Sequence, residues 1–243
     1  IVRGVLLTLA LFALVAALLD PRWGVHYEDI QRRGIDILFV VDVSRSMLAE
    51  DVKPNRLDRA KQYAGDIVEE CAGDRVGIIS FAGIAAVKCP LTVDYSAFRL
   101  SLNELAPETA ARGGSMLGDA LRLAGDSFTD EVKDYKVVIV LSDGEDQGSY
   151  PVEAAQKLFN DKGARVYTVG IGDSKEGGRI PIGTASNRAY LTYQGQEVWS
   201  KMNGDVLRDM ALKAGGLYIG AGTDVAPMTQ IYREKIAPVA RKD

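Results

Sequence analysis

Histidine is all but missing from this chain: His26 is the only one in 243 residues. Ser–His–Asp chemistry and HExxH zinc sites both need imidazole inside the fold, so both are nearly excluded. Cysteine is scarce as well. Cys71 and Cys89 lie far apart and match neither a zinc spacing nor C-x-x-C, so two buried, unpaired thiols are expected. Basic residues show no excess: 29 Lys and Arg face 33 Asp and Glu, a net charge of −4, which offers nucleic acid no attracting field. There is no GK[ST] loop. Gly114-Ser115-Met116-Leu117-Gly118 fails G-x-S-x-G because its last glycine comes one place late. Gly170-Ile171-Gly172 begins a dinucleotide fingerprint, but Lys175 stands where the third glycine belongs. Internal repeats and low-complexity tracts are absent.

Long uncharged runs are limited to one. Gly4 to Leu19 is mostly Leu, Ala and Val, with Arg3 before it and Asp20-Pro21-Arg22-Trp23 after. As a helix it would measure about 24 Å, slightly short of a hydrocarbon core of about 30 Å. A secretory signal peptide and a buried core helix are the rival readings. No small-residue cleavage site follows, and Trp23 suits an interfacial anchor. Residues 1–20 are therefore expected to be a transmembrane helix, completed by residues upstream of Ile1 in a longer protein. Residues 21–34, with Arg22, Arg32 and Arg33, read as a polar linker.

From residue 35 onward, apolar β-branched runs alternate with amphipathic stretches, the pattern of an α/β domain with a doubly wound, mostly parallel sheet under helices on both faces. Ile35–Val41, Arg75–Phe81, Lys136–Leu141 and Arg165–Ile171 are the buried strands, and Ala85–Cys89 is a short edge strand ended by Pro90. Helices are expected over about 56–71, from Asp94 toward Leu105, along Leu117–Phe128, from Pro151 to Lys162 with Gly163 as stop, from Asp205 to Ala214, and over 225–236. Lys53, Arg56 and Arg59 read as the solvated face of the first of these. Residues 173–202 break the rhythm, with Gly, Ile180-Pro181-Ile182, Tyr190-Leu191-Thr192-Tyr193 and Glu197-Val198-Trp199. They read as a β-hairpin insertion on the rim of the sheet. The domain spans 35–238, and no second boundary is visible beyond the linker.

The chemistry gathers where two of these strands run out. Asp42, Ser44 and Ser46 put oxygens at alternate positions just after the first strand, and ligands of open α/β sheets bind at the carboxyl ends of strands. Taken alone, D-x-S-x-S is open to two readings, a helix cap or a hard-cation site. Gly113-Gly114-Ser115 brings a hydroxyl to a helix start, and Asp143 ends a second central strand. Five oxygen groups from three loops suit Mg²⁺, with Mn²⁺ or Ca²⁺ as alternatives, and leave room for an outside ligand.

These segments resemble a known family. GIDILFVVDVSRSMLAEDVKPNRL, GDRVGIISFAG, KCPLTVDYSAF, GGSMLGDAL and VIVLSDGED are similar to the von Willebrand factor A domain with its metal-ion-dependent adhesion site, and closer still to the Bat (aerotolerance-related) bacterial membrane proteins. The resemblance covers about residues 20–238. It implies Asp42, Ser44 and Ser46 as the first metal loop, Ser115 where the family usually has Thr, and Asp143 as the last ligand. Ser keeps the hydroxyl but loses the methyl that restrains its rotamer. Arg45 stands where many A domains carry Gly, within reach of an acidic ligand.

The resemblance further implies cation-dependent binding of a protein whose acidic residue completes the coordination sphere. Bat-type proteins are thought to work with MoxR-type AAA+ ATPases and sibling membrane proteins. It also implies the inner bacterial membrane with the domain on the periplasmic side, although Arg22, Arg32 and Arg33 pull the linker inward by the positive-inside rule. Arg45, Glu145 and the aromatic Tyr190, Tyr193 and Trp199 are the candidate partner surface. Two rivals stand beside this reading: a metal-dependent hydrolase using Glu145 or Asp146 as base, and a metal-free scaffold.

Overall fold

In the computed structural model, residues 2–18, 34–107, 112–130, 132–133, 135–184 and 187–240 are described. The chain divides into two units, residues 1–32 and 33–243. In the first, helix α1 (Val2–Leu18) is 17 residues long. At 1.5 Å per residue it measures about 25 Å against a hydrocarbon core of about 30 Å. Among the described residues no helix is long and apolar enough to cross a membrane, and the transmembrane helix expected over 1–20 lies in part outside them. Residues 19–33, with Trp23 and nearly all of the expected linker, lie outside the described residues.

In the second unit, β1 (Asp36–Asp42) is buried at every position, as an uninterrupted Ile-Leu-Phe-Val-Val run between helical layers requires. It pairs in parallel with β2 (Arg75–Phe81) on one side and β4 (Lys136–Ser142) on the other. Beyond β4 come β5 (Arg165–Ile171) and β12 (Tyr218–Gly222), both parallel, and beyond β2 the antiparallel edge strand β3 (Ala85–Thr92). Winding therefore reverses at β1, the place where a ligand crevice opens between neighbouring strand ends. Val41 lies opposite Leu141, so Asp42 and Asp143 leave adjacent strands at nearly the same level. The doubly wound α/β expectation holds.

Side chains alternate across β1 with the strand's period of two. Ile37, Phe39 and Val41 join a core with α2 (Arg56–Glu69), α3 (Tyr95–Asn103) and the C-terminal helical segment. Leu38 and Val40 join the opposite core with α4 (Leu117–Ser127), α5 (Pro151–Lys162) and α6 (Gly204–Lys213). Each fully buried Val, Leu or Ile contributes about 1.5–3 kcal/mol, and such residues fill both layers.

Several boundaries move. The edge strand runs through Pro90 to Thr92, which an edge permits because its outer N–H groups have no ladder partner to lose. Asn203, not Asp205, precedes α6, and Asp205 falls in its first turn. The C-terminal helix starts at Met228 and passes through a π-turn over Tyr232–Ile236. The insertion is three small antiparallel ladders in place of one hairpin. β6 (Gly178–Arg179) pairs with β11 (Trp199–Ser200), β7 (Pro181–Thr184) with β8 (Asn187–Tyr190), and β9 (Thr192–Tyr193) with β10 (Gln196–Glu197). Cys71 and Cys89 are both buried, as expected.

Candidate metal centre

Asp42 closes β1 with no exposed surface. Its Oδ1 accepts the Ser44 N–H at 2.9 Å, which folds the loop back into a tight turn. Its Oδ2 accepts the Ser142 hydroxyl at 2.8 Å and the Ser115 hydroxyl at 3.5 Å. The Ser44 and Ser46 hydroxyls meet at 2.8 Å, held together by the 3-10 turn over Arg45–Leu48. Met116 N donates to Ala82 O and Gln147 N to Ser115 O, so the Ser115 loop is clamped between its two neighbours. Gly114 at φ +111° takes a conformation that L side chains rarely adopt, and a Cβ there would meet Gln147 Oε1 at 2.7 Å.

Asp143 follows β4 and is also fully buried. Its Oδ1 accepts Glu145 N at 3.2 Å, while its Oδ2 accepts Arg56 Nη1 at 2.9 Å and the Ser200 hydroxyl at 3.5 Å. Burial first, and the Asp143 charge second, push Asp42 up to about 7 against hydrogen bonds from Ser44 and Ser142 that pull it down. Glu145, on the exposed rim, is raised by the protein around its carboxyl and then by Asp143.

Arg56 corrects the sequence reading. It has no exposed surface at all. Its guanidinium grips Asp51 through Nε at 2.9 Å and Nη2 at 2.5 Å, then reaches Asp143, the Ser200 hydroxyl and the Ser200 carbonyl, each at 2.9 Å. One positive charge thus faces three carboxylates, Asp42, Asp51 and Asp143, all buried or nearly so. That surplus of buried negative charge, beside three hydroxyls with free lone pairs, fits a divalent hard cation. Among the described residues no cluster of three or more His, Cys, Asp or Glu is placed to hold a metal, and the candidate set is two carboxylates with three hydroxyls.

A family model for the von Willebrand factor type A domain matches residues 37–145, a span holding all five candidate ligands. Among solved structures, BatB from Bacteroides thetaiotaomicron is 31% identical, with a TM-score of 0.79 over 86% of this chain and 100% of that one. This chain belongs to the von Willebrand factor type A family, in its Bat-type branch. An aerotolerance-related membrane protein from Bacteroides fragilis is 27% identical, with a TM-score of 0.75 and the same coverage. A UPF0353 protein of Mycolicibacterium paratuberculosis is 28% identical over 218 residues, 86% of this chain and 61% of that protein. The chain spans about three fifths of the length of the curated relatives it matches.

In this A-type domain the predicted oxygen groups converge at one sheet edge, while the predicted partner residues separate. Arg45 is exposed, with no ion-pair partner among the described residues. The Arg179 guanidinium lies 4.0 Å from the Tyr190 ring centre and 5.8 Å from that of Trp199, so these two rings share a cation. Tyr193, 70% exposed, is outside that stack. Asp146 is no free loop carboxylate: it accepts Leu117 N at 3.1 Å, Gly148 N at 3.0 Å and Ser149 N at 2.8 Å, and also the Ser149 hydroxyl. It caps α4 and seats the helix that presents Ser115.

Gly118 makes that seat close. A Cβ on it would lie 2.1 Å from Ser149 O. Alanine for glycine in a helix ordinarily stabilises by about 0.5–1 kcal/mol. Gly118→Ala should instead cost about 1–3 kcal/mol by overpacking. Urea melts check this, and a raised midpoint would show that the helix has room.

Proposed function

We propose that this A-type domain binds a protein partner through a divalent cation, Mg²⁺ in the first place with Mn²⁺ or Ca²⁺ as alternatives, and performs no catalysis. Asp42, Ser44, Ser46, Ser115 and Asp143 would hold the ion, and when bound it supplies an electrophilic centre that accepts a carboxylate from the partner. The observation that carries this reading is the pair of fully buried carboxylates, Asp42 and Asp143, set among hydroxyls with too little positive charge to balance them. Ser142 orients Asp42, and Arg56 orients Asp143. A hydrolytic role finds less support. Asp146 is saturated by donors as a helix cap, and Glu145 Oε1 accepts the Ser200 hydroxyl at 2.9 Å, so neither faces a substrate as a free base.

The partner set follows from the family: sibling Bat-type membrane proteins and a MoxR-type AAA+ ATPase, at the inner membrane of a bacterium, with this domain on the periplasmic side. Helix α1 supports a membrane setting, because Val5, Leu6, Leu7, Leu9, Leu11, Phe12 and Leu14 are all more than half exposed and so apolar on every side. Co-purification tests the reading. Sibling membrane proteins, co-expressed with the full chain, should be captured in millimolar Mg²⁺ and released by chelator, and Ser44→Ala should not capture them. Capture that ignores both chelator and Ser44→Ala would leave the domain a metal-independent scaffold.

A further inference from the structure

We infer that the partner segment carries an aliphatic side chain close to its metal-binding carboxylate, and that this side chain enters a cavity between the metal loop and the insertion. The inference rests on the metal-dependent reading above and names what else the partner must bring. A cavity of about 460 Å³ opens against Arg45, the residue between candidate ligands Ser44 and Ser46. Arg45 and Leu48 of the metal loop form one wall, and Ile180, Ile182 and Leu191 of the insertion the other. Its size falls in the range of small ligand sites, about 300–1,000 Å³.

Position ties the cavity to the ion. Arg45 sits between Ser44 and Ser46, and neighbouring Cα atoms are about 3.8 Å apart, so the same loop walls the cavity and supplies two candidate ligands. An extended peptide advances about 3.3 Å per residue, which puts a side chain one to three residues from the carboxylate over the opening.

Chemistry names the occupant. Polar and apolar atoms share the exposed lining about equally, but six of the seven lining residues are apolar, from Ile180, which is 4% exposed, out to Ile182 at the rim, 39% exposed. The one charged lining residue is Arg45, exposed and without an ion-pair partner among the described residues. An acidic segment with a Leu, Ile, Val or Met beside its acid satisfies both features at once. The insertion also gains a role. Leu191 N donates to Ile180 O at 2.9 Å, which fixes the aliphatic wall facing the metal loop.

A phage-displayed random peptide library, selected on the full chain in Mg²⁺ and eluted with chelator, tests this. Eluted clones should carry Asp or Glu with an aliphatic residue at one fixed offset, enriched roughly tenfold or more, the binding gain of burying one such side chain. Ile182→Asp adds a like charge at an exposed rim position. It should still yield chelator-eluted acidic clones, proof that it folds and holds metal, but with no preference at that offset. Acidic clones lacking the aliphatic residue, or a preference unchanged in Ile182→Asp, would overturn the inference and leave the metal reading standing. Mg²⁺-dependent self-association abolished by Ile182→Asp would assign the cavity to a second copy and overturn it as well. Clones without carboxylates would sink the metal reading, and this inference with it.

Discussion

Arg56→Ala should lower the unfolding free energy by about 3–5 kcal/mol, the cost of leaving a buried charge without its partner. The arginine is fully buried and makes five hydrogen bonds, to Asp51, Asp143 and both the hydroxyl and carbonyl of Ser200. Without it, Asp143 keeps its place beside Asp42 with no cation near, and the Ser200 carbonyl loses a donor. Exposed arginines behave otherwise: replacing Arg208, paired with Asp205 at 2.9 Å on the surface, should change stability by well under about 1 kcal/mol. Arg56→Lys should recover only part of the loss, since an ammonium has three donors and no planar fork. Denaturant unfolding of the three variants decides it. An Arg56→Ala domain as stable as wild type would mean that the buried cluster does not depend on the guanidinium.

Arg56 also marks where sequence reasoning stops. A basic residue in the first turn of an amphipathic helix ordinarily faces water, and nothing within a helical turn of it says otherwise. Its burial is set by Asp143, 87 positions later, and Ser200, 144 positions later. Asp51 at 2.5 Å, five positions earlier, was the one local hint. The same limit hid Ser142 and Ser200, which act through partners on other strands. By contrast, the strand β1, the loop after it and Asp143 at the end of β4 were legible, because a buried parallel strand needs an unbroken apolar run and a strand-end site needs oxygens just beyond it. Helix α5 was legible for local reasons too: Pro151 opens it, and Gly163 at φ +70° ends it. In the insertion, alternation announced strands but not their pairing. Two-residue ladders are placed by turns such as Gln194-Gly195, both at positive φ, more than by any hydrophobic period.

Asp42→Asn should separate metal binding from folding. Burial and the neighbouring Asp143 hold Asp42 up at about 7, so its ionised form opposes folding in the absence of metal. The sign follows: that opposition is absent below pH about 4 and complete above about 7. Asn can still accept Ser44 N and meet Ser142, so in chelator the variant should melt at least as high as wild type at pH 7, with a flatter pH profile. Its Mg²⁺ affinity should fall more than roughly a hundredfold, beyond the ten- to hundredfold of losing an outer-shell group. A structural cap would show the reverse, lower stability and no change in metal response.

The metal centre itself is tested most directly by calorimetric Mg²⁺ titration of the full chain, wild type beside Asp42→Asn, at neutral pH. Wild type should take up one ion at millimolar concentration or below, and the folded variant none. A wild type that binds no Mg²⁺, or a variant that binds it equally well, would contradict the assignment.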